Sequence, residues 1–212
     1  MKQIVKLIAA FSAVLALAVL PTATVLGQAN SDVTQEINGG TLSTAILDAG
    51  RTAVPSPSFA MSAQAFSFNC TTSTGTLGSS TQRLYVINPS GTTSGQSWTL
   101  TLAATGPWTS GGNNYAYNQA AGSGCTSGQL TVNANAGTVT TDCVSSACTG
   151  ATVSKGSSTA MTGSTPVTIL STSAGVTVWR GYITGVALSQ AIPPETPAGA
   201  YVLPVTLTVT AA

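Results

Sequence analysis

The sequence predicts an all-β protein: an antiparallel β-sandwich of Greek-key or jelly-roll-like type, forming a single domain after a signal peptide. Three observations lead there. Apolar residues recur at every second position in many short segments. Clusters of turn formers such as "NPSGTTSG", "SGGNN" and "PPETPAG" separate those segments. Beyond the N-terminal leader no segment shows the spacing of an amphipathic helix, and no repeat of fixed period is present.

Residues 1–29 read as a secretory signal peptide. Lys2 and Lys6 precede an apolar run from Leu7 to Leu20, Pro21 breaks it, and small residues lead to Gly27-x-Ala29. The run is shorter than the about 20 apolar residues of a membrane-spanning helix. Cleavage is expected near Ala29, with Gly27 as the competing site, and no Cys stands there to accept a lipid. The mature domain is then 30–212, long enough for a real core. It has no membrane span and is secreted or held at the cell surface.

Within it, strands are expected in order. One lies at 41–48. "AFSFNC" places Phe66, Phe68 and Cys70 on one face, and "RLYVIN" points Leu84 and Val86 inward. "SWTLTLA" sets Trp98, Leu100 and Leu102 against Thr99 and Thr101, and "QLTVN" shows Leu130 and Val132. Further strands are expected at 137–143, 166–171 and 176–188. The closing "AYVLPVTLTVT" aligns Tyr201, Leu203, Val205, Leu207 and Val209 opposite Thr206, Thr208 and Thr210. Pro204 removes a ladder donor from that strand, so it lies at a sheet edge or is bulged. An exposed edge is a place where another chain can pair.

The mature segment holds nine charges, Arg51, Arg83, Lys155 and Arg180 against Asp32, Glu36, Asp48, Asp142 and Glu195, and the chain has no histidine. Only 5% of residues are charged, against about 25% in a typical soluble domain. A surface of Ser, Thr, Gly, Asn and Gln responds weakly to pH and salt. It does not attract nucleic acid or an anionic membrane, because both require clustered Lys and Arg. Low net charge also leaves little repulsion between copies.

Four cysteines, Cys70, Cys125, Cys143 and Cys148, follow the signal peptide, which predicts two disulfides. Metal ligation is disfavoured, since zinc usually recruits His or paired Cys-x-x-Cys spacings. Reading "GQLTVNANAG" and the strand ending at Cys143 as one hairpin favours Cys125 with Cys143 and Cys70 with Cys148. The alternative is a tight Cys143–Cys148 loop with Cys70–Cys125.

The inventory for catalysis is sparse. Without His there is no Ser-His-Asp or Cys-His arrangement, and Lys155 in "VSKGSS" reads as part of a polar loop. Paired carboxylates for glycoside chemistry would have to come from five scattered acids. "SGGNN" lacks the Lys of a phosphate loop. Asn113, Asn114 and Asn118 offer at most a weak calcium site. No enzyme, cofactor or metal is expected.

Three tryptophans remain. Trp98 heads an amphipathic strand and reads first as a packing residue between sheets. Trp108, after Gly106-Pro107 and before "TSGGNN", is the better exposed candidate. Trp179 disturbs the alternation of Val176 and Val178 and reads as a bulge that turns an aromatic ring outward.

"SWTL", a long Thr/Gly/Asn-rich middle and the C-terminal "IPPETPAGAYVLPVTLTV" together resemble the WxL domain of secreted bacterial cell-surface proteins. Trp98 and Leu100 match its early strand, and Tyr201, Val205, Leu207 and Val209 its closing one. "TLSTAILDAG" stands in place of the opening strand. Where the family usually closes with a second Trp-x-Leu, this chain has Leu207-Thr208-Val209. The resemblance implies a non-enzymatic protein that associates non-covalently with the bacterial cell wall (peptidoglycan), in adhesion or surface assembly. The candidate ligand-binding residues are then Trp98, Leu100, Trp108 and Tyr201. The ending also resembles the last strand of spore-coat-U-like and pilin-like sandwiches, which implies an alternative: a self-assembling subunit of a surface layer or fibre.

Overall fold

The computed structural model describes residues 34–36, 39–89, 97–120, 122, 124–143, 148, 152–173 and 178–211. The signal-peptide reading lies outside the described residues. The chain divides into a unit 1–37 and a unit 38–212. In the first, only 34–36 are described, as exposed coil. All that follows concerns the second.

The fold is all-β, antiparallel and sandwich-like. Its first sheet has the order β1 (Ser43–Leu47), β3 (Arg83–Asn88), β12 (Trp179–Thr184), β8 (Thr138–Thr141). The second runs β10 (Ser158–Ala160), β7 (Gln129–Asn133), β13 (Val186–Ile192), β2 (Thr71–Leu77). The third runs β14 (Val205–Ala211), β4 (Trp98–Ala104), β11 (Val167–Thr172), β9 (Val153–Lys155). A separate hairpin joins β5 (Trp108–Ser110) to β6 (Asn113–Tyr115). Among the described residues, helix is confined to short pieces, chiefly α1 (Gly124–Ser127) and a 3-10 turn at Ala134–Ala136.

The first two sheets share three chain segments that bend from one into the other. β2 passes to β3 through Gly78, β12 to β13 through Gly185, and β7 to β8 through the 3-10 turn. Gly78 and Gly185 take φ of 84° and 72°, left-handed values that a side chain opposes. The Gly185 N–H donates to the Gly78 carbonyl at 2.9 Å, so the two corners brace each other. The single strand expected at 176–188 is therefore two strands in different sheets, with Gly185 as the corner.

Alternation governs burial where it was read. Trp98, Leu100 and Leu102 of β4 are buried between half-exposed threonines. Leu130 and Val132 of β7 point inward, and in β3 Leu84 and Val86 are joined by buried Tyr85 and Asn88. The sheets meet at a pair of indoles: Trp98 of β4 lies 5.2 Å from Trp179 of β12, at 38° between planes. Trp179 is 1% exposed, so its ring faces the core rather than solvent. Its place in β12 starts a new inward alternation, Trp179, Gly181, Ile183, which overrides the register suggested by the preceding valines.

Two expected strands change. No strand forms over 65–70; Phe66 and Phe68 are 53% and 73% exposed and touch edge to face at 5.2 Å. The backbone ahead of this segment follows β2 only briefly, through the Met61–Gly75 bridge and the Ser62 N–H on the Thr74 carbonyl. The closing strand begins at Val205 rather than at Tyr201. Before it, Pro204 accepts from the Thr105 N–H at 2.9 Å and Val202 exchanges two hydrogen bonds with Thr109. The partner strand spends two more residues than this one over that interval, which accommodates Gly106-Pro107 as a bulge. β14 is also an edge, since β4 is its one strand partner among the described residues.

Two disulfides join Cys70 to Cys125 and Cys143 to Cys148, with Cα–Cα separations of 5.2 and 6.1 Å. This corrects the favoured pairing of Cys125 with Cys143 and Cys70 with Cys148. β7 and β8 form no hairpin: the 3-10 turn sends them to different sheets, so the flanking Cys125 and Cys143 are not brought together. Cys70–Cys125 ties the start of β2 to α1, and Cys143–Cys148 closes a small loop after β8.

Trp98 makes no hydrogen bond from its buried indole N–H, a deficit of about 1–3 kcal/mol. Its value to the fold is therefore packing. Trp98→Ala should cost roughly 3–5 kcal/mol by urea or thermal unfolding. Trp98→Phe, which keeps an aromatic ring and removes the unpaired donor, should cost clearly less. Equal losses in the two variants would contradict the packing account.

Candidate functional site

A cleft of about 410 Å³ opens where the second sheet meets the β5–β6 hairpin. Small-molecule sites typically span about 300–1,000 Å³. One wall is the irregular segment 59–67, the other the proline-rich 193–201, and the floor includes Ser73 and Gln190. Three aromatic rings gather at one end. Trp108 lies parallel to Tyr115 with centroids 6.0 Å apart, and Tyr115 meets Tyr201 edge-on at 5.0 Å.

Each part is held by hydrogen bonds that follow from local sequence. Gln190 is wholly buried in β13; its Oε1 accepts from Trp108 Nε1 at 2.8 Å, and its Nε2 donates to the Ala191 and Ala116 carbonyls. A satisfied buried amide of this kind fixes the indole. The first wall is pinned to β2 by Ser73 Oγ donating to the Ser62 carbonyl and by the Thr74 N–H donating to Ser62 Oγ. In the second wall Pro193, Pro194 and Pro197 restrict the backbone, and the Tyr201 hydroxyl donates to the Pro197 carbonyl at 2.9 Å. Glu195 joins the walls: its N–H donates to the Ser67 carbonyl while its φ is held at 59°. A non-glycine residue kept left-handed at a cleft rim marks a backbone set by its surroundings.

Among the described residues none that lines the cleft carries a charge, and Glu195 stands at its rim. Burial pushes the Tyr115 phenol up to about 12, with Tyr201 adding to the shift. Its hydroxyl therefore stays protonated at ordinary pH. The cleft offers ring faces, hydroxyls, amides and backbone groups.

Of the candidate residues read from sequence, Trp108 and Tyr201 line this cleft, both half-buried. Trp98 and Leu100 do not; both are 0% exposed, in the core. The structure adds Tyr115, Gln190 and Phe66. Tyr115 lies in "NNYAYNQ", where no periodicity distinguishes it, and Gln190 follows an alternation that predicts an apolar residue. Asn118 spends its amide on the Gly163 carbonyl. Among the described residues no cluster of His, Cys, Asp and Glu could hold a metal.

The principal charged cluster lies on the first sheet. Arg51, at a φ of 66°, grips Asp142 through two hydrogen bonds of 2.7 Å. The Tyr85 hydroxyl donates to the same carboxylate at 2.9 Å, and Arg180 Nε donates to the Asp142 backbone carbonyl. The arrangement fastens the turn after β1 to the end of β8. Its carboxylate is fully engaged, which suits a staple rather than an acid–base catalyst. The Arg51 hydrogen bond, followed by that of Tyr85, lowers the Asp142 pKa from its usual 3.8 to about 2.

No family model, curated protein or solved structure matches this chain.

A carboxyl whose folded pKa is depressed stabilises the fold above its unfolded pKa and ceases to as pH falls through its folded one. Asp142 should therefore contribute fully above about pH 4, and progressively less towards about pH 2. Urea midpoints of wild type and Asp142→Asn, followed over that window, should converge as the pH drops. A constant gap would show that the carboxylate is not what couples stability to acid.

Proposed function

We propose that this chain is a non-catalytic secreted surface protein, of the WxL kind its sequence resembles, that holds bacterial cell-wall glycan non-covalently in the cleft. The role is adhesion or surface assembly. One observation carries the reading: Trp108, Tyr115 and Tyr201 gather at one end of an uncharged cleft among hydroxyl and amide groups. Sugar rings present apolar C–H faces and many hydroxyls, and this lining offers a partner for each. The glycan strand of peptidoglycan fits such a lining better than its carboxylate-bearing peptides, which would meet no cation there. The two disulfides and the lack of a membrane-spanning helix among the described residues accord with a secreted protein. A second reading, self-assembly, is favoured by the unpaired outer edge of β14.

The test is a pull-down of the mature protein on insoluble peptidoglycan, competed with soluble glycan fragments. Tyr115→Ala and Tyr201→Ala should each weaken binding by roughly tenfold while leaving the melting temperature near that of wild type. Retention should persist at 1 M salt, where the Debye length is about 3 Å. Release at moderate salt, or unchanged binding by both variants, would refute the cleft as the attachment site.

A further inference from the structure

Among the described residues the sheet edges differ in how they are protected. β2 is covered by Met61 and Ser62, and β1 is partly covered where Val54 donates to the Ile46 carbonyl. β8 and β10 are four and three residues long, and β9 ends in Lys155. β14 packs near β1, but no described strand is hydrogen-bonded to its outer side. It is seven residues long, carries no charge, and exposes Val205, Thr206, Thr208 and Thr210. An edge of that kind is a template for another strand.

Its outward groups can be assigned. Val205 pairs with Ala104, so Pro204 stands opposite Thr105, and the Thr105 N–H donates to the Pro204 carbonyl. Hydrogen-bonded and non-hydrogen-bonded pairs alternate along an antiparallel ladder. Thr206, Thr208 and Thr210 therefore direct their backbone groups at β4. Val205, Leu207 and Val209 direct theirs outward. The Trp98 N–H agrees, since it turns away from β14 to Thr172 Oγ1.

The sequence of this edge, Val205-Thr206-Leu207-Thr208-Val209, reads the same in both directions. We propose that β14 pairs antiparallel with β14 of a second copy of this chain, about a two-fold axis at Leu207, fusing the third sheets of two subunits into one continuous sheet. In that register Leu207 faces Leu207, and Val205 faces Val209. These are the residues with free outward N–H and C=O groups, so each such pair exchanges two backbone hydrogen bonds. Thr206 faces Thr208 on the exposed side. Every β-branched residue meets one of its own kind, the arrangement that cross-strand packing favours. An isologous contact of this kind closes on itself, so the product is a dimer, whereas a strand passed head to tail would give a fibre. The inference stands independently of the glycan cleft, because residues 205–209 line no part of it.

The test uses the mature, disulfide-bonded protein in sedimentation equilibrium across a concentration series. Wild type should dimerise. Thr206→Lys/Thr208→Lys, changed at exposed positions, should melt like wild type but dimerise at least roughly tenfold more weakly, because like charges then face each other across the pair. Thr206→Glu/Thr208→Glu should behave the same alone. Mixing the two variants should restore dimers, since the register brings Lys against Glu at both positions. A monomeric wild type would overturn the proposal, as would a doubly lysine-substituted protein that dimerises normally. Wild-type species that grow past the dimer with concentration would replace it with open assembly.

Discussion

The contact on which the rest depends is the one between Trp98 and Trp179. One ring comes from the third sheet and one from the first, and both are essentially excluded from solvent. A chain with so few charges has little electrostatic means of holding sheets in register. It relies on large apolar surfaces, for which burial contributes about 25 cal/mol per Å². β4 extends from Trp98 through Leu100 and Leu102 as the central buried strand of the third sheet, and β12 does the same for the first. With those two strands fixed, β13 is aimed by the corner at Gly185 and delivers Gln190 to the cleft. β4 leads through the bulge to Trp108. The cleft is thus assembled from the ends of strands that the two indoles lock together.

The same economy explains the division of labour among aromatic residues. Trp98 and Trp179 are spent on the core. Trp108 is half-buried and oriented by Gln190, and Tyr115 and Tyr201 share its end of the cleft. The few charges are used structurally: Arg51, Asp142 and Tyr85 fasten a turn, and Arg83 lies over the Tyr182 ring at 4.6 Å. That leaves the cleft and the β14 edge neutral, so both surfaces would recognise partners by shape, hydrogen bonds and apolar contact.

Much of this was legible in the sequence because alternation reports burial directly. The strands carrying Trp98 and Leu130 follow it, and Pro204 correctly marks an edge and a bulge. What was not legible is non-local. In "WRGYITGVALS" apolar residues continue on both sides of Gly185, and nothing in the period shows that this glycine turns a corner. The cysteine pairing depends on β7 and β8 entering different sheets, which neighbouring residues do not encode. Phe66 and Phe68 alternate like strand residues, yet among the described residues no strand pairs with them. The cleft draws on 59–67, 108–115 and 190–201, so Tyr115 became a site residue only through contacts between distant segments.

The central claim is that the tryptophans are sorted, with two holding the fold and one reporting the site. Intrinsic fluorescence of wild type and Trp108→Phe, recorded during titration with soluble peptidoglycan glycan fragments, tests this most directly. In wild type the emission should change on saturation. In Trp108→Phe the remaining emission should be blue-shifted, poorly quenched by acrylamide and unresponsive to glycan, because Trp98 and Trp179 are sealed in the core. A glycan-dependent change of normal size in Trp108→Phe would place the ligand against the core tryptophans and contradict the account.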